Sequence, residues 1–244
     1  MKKITILLAG LSLFGYCAGD ISITNHECNK NKTEKEYCKS KLLAIADLYP
    51  DTGNITKVIN VYAPKMGYYD FIFTEKIIKE EKFGGNYSDV YGIKKDGKYG
   101  VVRKEYNEPY VLTQKNLHAY VLLQDHGGYH KEAVFKDFGN EVYWPEFQYK
   151  YCLVDDADKN GIPEFYVSYF GASDGLDAKP FKVITYTYDD HDTMFKSKAT
   201  ALYPAGNDED VYTIEYDTNS NLLPKAIRKK IKWILDDHNK TFEE

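Results

Sequence analysis

The stretch "LVDDADKNGIPEFYVSYFG" (153–171) reads as a strand, a loop dense in side-chain oxygens, and a second strand. Phe165-Tyr166-Val167 is apolar at both parities. Successive strand side chains point to opposite faces, so this run predicts a strand covered on both sides. Such a strand sits in a sandwich or in a sheet roofed by helices.

The loop between the strands has cation-binding spacing. With Asp156 as position 1, Asp158 is position 3, Asn160 position 5, Gly161 position 6, Ile162 position 7 and Glu164 position 9. Calcium is a hard cation that takes about six to eight oxygens at roughly 2.3–2.6 Å. Alternate residues of a tight loop turn their oxygens inward, and a glycine permits the reversal. Position 7 contributes its main-chain carbonyl, so the identity of Ile162 is immaterial. Pro163 biases Ile162 towards an extended backbone and launches the next strand. An EF-hand needs a carboxylate at position 12. That position is Val167, inside the apolar run, so this is not an EF-hand. The predicted metal ligands are Asp156, Asp158, Asn160, Ile162 and Glu164. The predicted ion is a structural calcium, with Asp155 able to hydrogen-bond to the ligands. A metal-free polar turn is the competing reading, since Asp, Asn and Gly all favour turns.

The pattern D-x-D-x-N-G-x-x-E between strands resembles the calcium loops of FG-GAP and VCBS repeats. That resemblance implies that the position-9 carboxylate, Glu164, closes the site. It occurs in one copy and implies no complete propeller. The following segment "YFGASDGLDAKPFKVITY" (169–186), this loop and the tail "LLPKAIRKKIKWIL" together resemble a family of bacterial exported proteins associated with surface polysaccharide biosynthesis. The similarity runs over residues 145–238 and carries no catalytic residues with it. Asp174 and Asp177 read as turn formers. They lie one strand beyond the loop, about 20 Å away at 3.3 Å per residue, too far to share its ion.

At the other end, "MKKITILLAGLSLFGYCAGD" (1–20) has two lysines, an apolar run from Ile4 to Phe14 and small residues after it. This is the pattern of a secretory signal peptide over 1–19, too short to span a membrane. Cleavage after Gly19 is the first expectation. Lipid attachment at Cys17 is the alternative: Leu13 resembles a lipoprotein signal, and Tyr16 departs from one. No later apolar run is long enough to span. The chain is therefore expected to be exported and periplasmic, on the cell surface or secreted. Cys28 and Cys38 form the natural disulfide of an exported chain. Cys152 is left as a buried thiol.

Removing residues 1–19 takes away Lys2 and Lys3 and no acid, so the formal charge moves from −5 to −7. An acidic chain has no long-range attraction for nucleic acid or anionic lipid. The basic run "RKKIK" (228–232) falls on a helical pattern and reads as a solvated face. The 23 tyrosines suit pleated, half-buried surface and argue for much strand.

Outward from the loop, the segment 20–33 is polar and reads as loosely held. A helix is expected over 34–48, with Thr33 and Glu36 as a capping box and Tyr37, Leu42, Ile45 and Leu48 as its apolar stripe, closed by Pro50. Strands are expected at 57–62, 68–78, 117–124, 129–135, 146–154, 164–171, 181–188 and 210–216. "YGIKK" and "YGVVRK" flank Asp96-Gly97, a hairpin turn in which both residues reach positive φ. The second is similar to bacterial WG-type repeats, but two copies eight residues apart read as the arms of one hairpin. Asp125-His126-Gly127-Gly128 marks a second hairpin. Ile227, Ile231 and Ile234 share one face of a C-terminal helix that begins near Pro224 and packs its Ile/Trp face on the sheet.

Other constellations predict no chemistry. His126 and His130 read as exposed turn histidines, and "DDHD" (189–192) reads as a loop. No nucleophile elbow, phosphate loop or dinucleotide fingerprint occurs.

The predicted fold is mainly β (α+β): one domain over 20–244, an antiparallel meander, sandwich or partial propeller with one N-terminal and one C-terminal helix. The predicted function is a non-enzymatic exported envelope protein with a calcium-tied loop that binds a glycan or another envelope component. The alternative is a secreted carbohydrate-active hydrolase using an Asp/Glu pair. The oligomeric state is left open.

Overall fold

A computed structural model of the protein describes residues 20–46, 48, 49, 53–204 and 211–242. The predicted leader 1–19 with Cys17, and Pro50 and Asp210, lie outside the described residues.

In chain order the elements are β1 (Ser22–Glu27), α1 (Lys32–Ala46), β2 (Asn54–Ala63), β3 (Gly67–Phe83), β4 (Asn86–Ile93), β5 (Tyr99–Asn107), β6 (Tyr110–Asp125), β7 (Gly128–Phe138), β8 (Tyr143–Phe147), β9 (Leu153–Asp155), β10 (Glu164–Ser173), β11 (Lys179–Tyr188), β12 (Met194–Tyr203), β13 (Thr213–Tyr216) and α2 (Lys225–Phe242). The pairings are antiparallel throughout. One sheet has the order β1-β2-β3-β6-β7, and the other β13-β12-β11-β10-β8, with β9 also on β10. β4 and β5 form a separate two-stranded ladder.

The two sheets face each other across a shared core. Ile59, Phe71, Phe73 and Val121 from the first meet Phe147, Phe165, Val167 and Ile184 from the second. The opposite parity of each sheet carries a helix. Val58, Ile72, Tyr120 and Leu122 face α1 with Ile45. Tyr166, Phe181, Val183 and Ala199 face α2 with Ile227, Ile231, Ile234 and Leu235. The layers therefore run helix, sheet, sheet, helix. This explains the unbroken apolar run at 165–167, because both faces of β10 are covered. The sandwich and the helix roof coexist, and neither a closed barrel nor a propeller forms among the described residues.

Several expectations need correction. Residues 22–27 are not loosely held. They pair with β2 as an edge strand, and the Cys28–Cys38 disulfide and the His26–Glu34 contact at 2.9 Å hold them there. An edge strand needs only its backbone, so its polar side chains hid it. The cap of α1 is Asn31, whose Oδ1 accepts from the Glu34 N–H at 2.9 Å, rather than Thr33. Leu48 is 45% exposed, and Tyr49 takes its place by packing on Tyr120 at 4.2 Å. The strand expected at 146–154 is broken by a 3-10 turn at Tyr149–Tyr151, so that β8 and β9 pair with different parts of β10. The strand β12 was not anticipated. Trp233 is 48% exposed, with Lys230 Nζ 4.9 Å from its ring centre, so the buried face of α2 is Ile227, Ile231, Ile234, Leu235 and His238.

The turn after β4 differs in type from the expectation. Among the described residues of that turn only Gly97 has positive φ, and Gly97 N–H donates to the Lys94 carbonyl at 2.9 Å. This is a type I turn closed by a left-handed glycine. The two-residue turn with both φ positive occurs instead at His126-Gly127.

Candidate metal centre

β9 and β10 are the arms of a hairpin, with Asp155 opposite Glu164. The acidic loop is its connection. Lys159 and Gly161 both take positive φ, at 62° and 79°, and these reversals fold the loop back on itself. Asp156 accepts from the N–H groups of Asn160 and Gly161, each at 3.0 Å. Asp158 accepts from the Asn160 side-chain amide at 3.1 Å. Asn160 Oδ1 accepts from the Ile162 N–H at 2.7 Å. Those contacts are what a polar turn would make by itself.

Glu164 is different. It is fully buried, and its Oε2 accepts from the Ala157 N–H at 2.7 Å. Its Oε1 has no hydrogen-bond partner. One oxygen each from Asp156, Asp158 and Glu164 lies within 4.8 Å of the others. Burial, opposed by the Ala157 N–H and reinforced by the charges of Asp158, Asp156 and Asp155, pushes the Glu164 carboxyl up to about 8. Burial also raises Asp158. Three acids held this close repel one another, and burial removes the water that would screen them. A polar turn has no use for a buried, half-satisfied carboxylate. A cation has, because it takes the free oxygen and neutralises the repulsion. The triad Asp156, Asp158 and Glu164 can thus hold a metal ion. Among the described residues it is the one such group.

No family model, curated protein or solved structure matches the chain.

Of the predicted ligands, the fold brings the three carboxylates together and keeps Asn160 and Ile162 in the same loop. Asp155 lies beside them: its Oδ1 accepts from the Asp156 N–H at 3.0 Å, and its Oδ2 pairs with Lys230 of α2 at 2.7 Å. Two lysines were not foreseen. Lys230 ties the loop to α2, and Lys65, from the β2–β3 turn, donates to the Asn160 carbonyl. Both lie far from the loop in sequence, and no local pattern announces them. A cavity of about 600 Å³ opens beside the loop, between the β11–β12 turn and the start of α2. Its wall includes Asp158, Asp189, Asp190 and Asp192. Asp189 closes its own turn by accepting from the N–H groups of His191 and Thr193, both at 2.9 Å, which lowers its carboxyl.

Asp174 and Asp177 follow β10 at the end opposite Glu164, as expected. His126 and His130 are exposed and contact Asp125 and Glu132 respectively. Cys152 is buried, its thiol facing the Ser168 carbonyl at 3.3 Å, and burial pushes it up to about 12. It is a packing thiol.

Proposed function

We propose that the protein is an exported, calcium-tied component of the cell envelope, whose metal holds the β9–β10 hairpin and whose partner is a glycan or another envelope component. The observation that carries the metal reading is the free, buried Oε1 of Glu164 beside two further carboxylates. An all-oxygen donor set without thiolate or imidazole suits a hard cation. Calcium suits it better than magnesium, because the loop supplies carboxylate, amide and carbonyl oxygens without demanding a strict octahedron. One feature supports export: the Cys28–Cys38 bridge belongs to an oxidising compartment. The metal's position, at the end of a buried hairpin and one ion pair from α2, suits a structural role.

Thermal melting with calcium, magnesium or chelator tests the reading. A ligand bound only by the native state raises the midpoint, by about 2.7 kcal/mol of stability at a hundredfold excess over Kd. Calcium at millimolar levels is expected to raise it and magnesium to raise it less. Asp158→Ala and Glu164→Gln should lose the shift, and Asp174→Ala should keep it. A calcium-insensitive midpoint would leave the loop an ordinary turn.

A further inference from the structure

Tyr87, Tyr91, Ile93, Tyr99, Val102 and Tyr106, all on one hairpin, are exposed. β4 and β5 pair only with each other. Tyr87 stands opposite Tyr106 with ring centres 5.1 Å apart, and Tyr91 stacks beside Tyr99 at 6.3 Å. Ile93 and Tyr99, paired at the turn, are 75% and 74% exposed. A two-stranded hairpin is marginal alone in water, and exposed aromatic and aliphatic side chains gathered at its tip mark a surface that meets something.

The charge of the same tip selects the occupant. Residues 86–107 carry Lys94, Lys95, Lys98, Arg103 and Lys104 against Asp89, Asp96 and Glu105, a formal charge of +2 in a chain of −5. Lys104 and Arg103 have weak partners in Asp89 at 3.9 Å and Glu105 at 3.4 Å. The three turn lysines have no ion-pair partner among the described residues. A second copy of the tip would set these lysines against the same lysines. A soluble acidic glycan would match the charge but would give Ile93 and Tyr99 nothing to leave water for. A lipid surface satisfies both. Tyrosines sit at headgroup level, lysine stems reach past apolar neighbours to phosphate, and aliphatic tips enter the acyl boundary.

We propose that the tip of the β4–β5 hairpin docks on an anionic lipid bilayer, with Ile93 and Tyr99 at the headgroup–acyl boundary and Lys94, Lys95 and Lys98 on lipid phosphates. This names the envelope component of the reading above, and it is independent of the calcium loop.

The test is co-sedimentation of the chain from Asp20 onward, in chelator, with vesicles of phosphatidylcholine alone or with one quarter phosphatidylglycerol. Binding is expected only to the anionic vesicles, weakening as salt rises. The triple variant K94E/K95E/K98E should lose about a hundredfold in affinity, and I93S/Y99S about tenfold. Both variants should keep the parent melting temperature and its calcium shift, because the tip touches neither the core nor the loop. Loss of the calcium shift in the parent with vesicle binding intact would sink the calcium reading alone. Three results would overturn the docking proposal: equal binding by parent and variants, binding to polygalacturonate but not to vesicles, or a dimer in sedimentation equilibrium that I93S/Y99S dissolves.

Discussion

Two buried titratable side chains show how burial sets chemistry one residue at a time. Glu164 is held close to Asp156 and Asp158 with an oxygen to spare, and that arrangement is what a cation answers. His238 is buried in apolar company. Its ring stacks on Phe181 at 3.7 Å, and its Nδ1 meets the Tyr203 hydroxyl at 2.7 Å. Burial, with a smaller contribution from the Lys150 charge, lowers it from 6.5 to about 4. Because the folded value lies below the unfolded one, the unfolded chain takes up this proton first as pH falls. Its contribution is intact above about pH 6.5 and is lost between there and about 4. His238→Gln should therefore flatten the fall of the urea midpoint across that window. An unchanged slope would show that other groups carry the acid sensitivity. The three clustered carboxylates were legible in the sequence because the loop is local, nine residues from Asp156 to Glu164. The partners Lys65 and Lys230 were not, because only the folded chain brings them there.

Among the elements, α1 and β1 depend on a few side-chain ties. β1 is an edge strand whose side chains are mostly exposed. What secures them is the bridge Cys28–Cys38, ten residues apart, and the buried carboxylate of Asp70 beneath the helix. Asp70 accepts from Lys41 at 2.6 Å and from the Tyr129 hydroxyl at 2.7 Å, linking α1 to β3 and β7. Replacing both cysteines by serine should cost about 2–3 kcal/mol by the loop-closure argument. Urea unfolding of the double variant measures it, and no loss would mean that the Asp70 cluster alone holds the helix. The cysteine pair could be read from spacing and compartment. β1 could not, because an edge strand is made by backbone pairing with β2 and leaves no apolar alternation behind it.

For the whole molecule, the two layers of sheet create a gradient of stability. Residues 69–74 of β3 and 117–122 of β6, with strands β10 and β11, lie in the interior of their sheets and are covered on both faces. The arm from Gly84 to Pro109 has neither cover nor neighbours. At its root Gly84 and Gly85 both have positive φ, and a Cβ on Gly84 would run into the Glu108 carbonyl. Native-state hydrogen exchange should find the four inner strands slowest and the arm exchanging through local opening. Protection of the arm equal to that of β3 in the free protein would mean that another surface of the chain covers it. The sequence by itself determined the strand-rich class, the helix at each end, the disulfide and the acidic loop, because each rests on periodicity or on spacing within a few residues. Only the tertiary structure decided that two meanders stack between two helices, that the third carboxylate is buried with a free oxygen, and that the basic, aromatic hairpin is left bare. Which segments face one another is decided by stretches of chain that meet from far apart, and no local pattern encodes that.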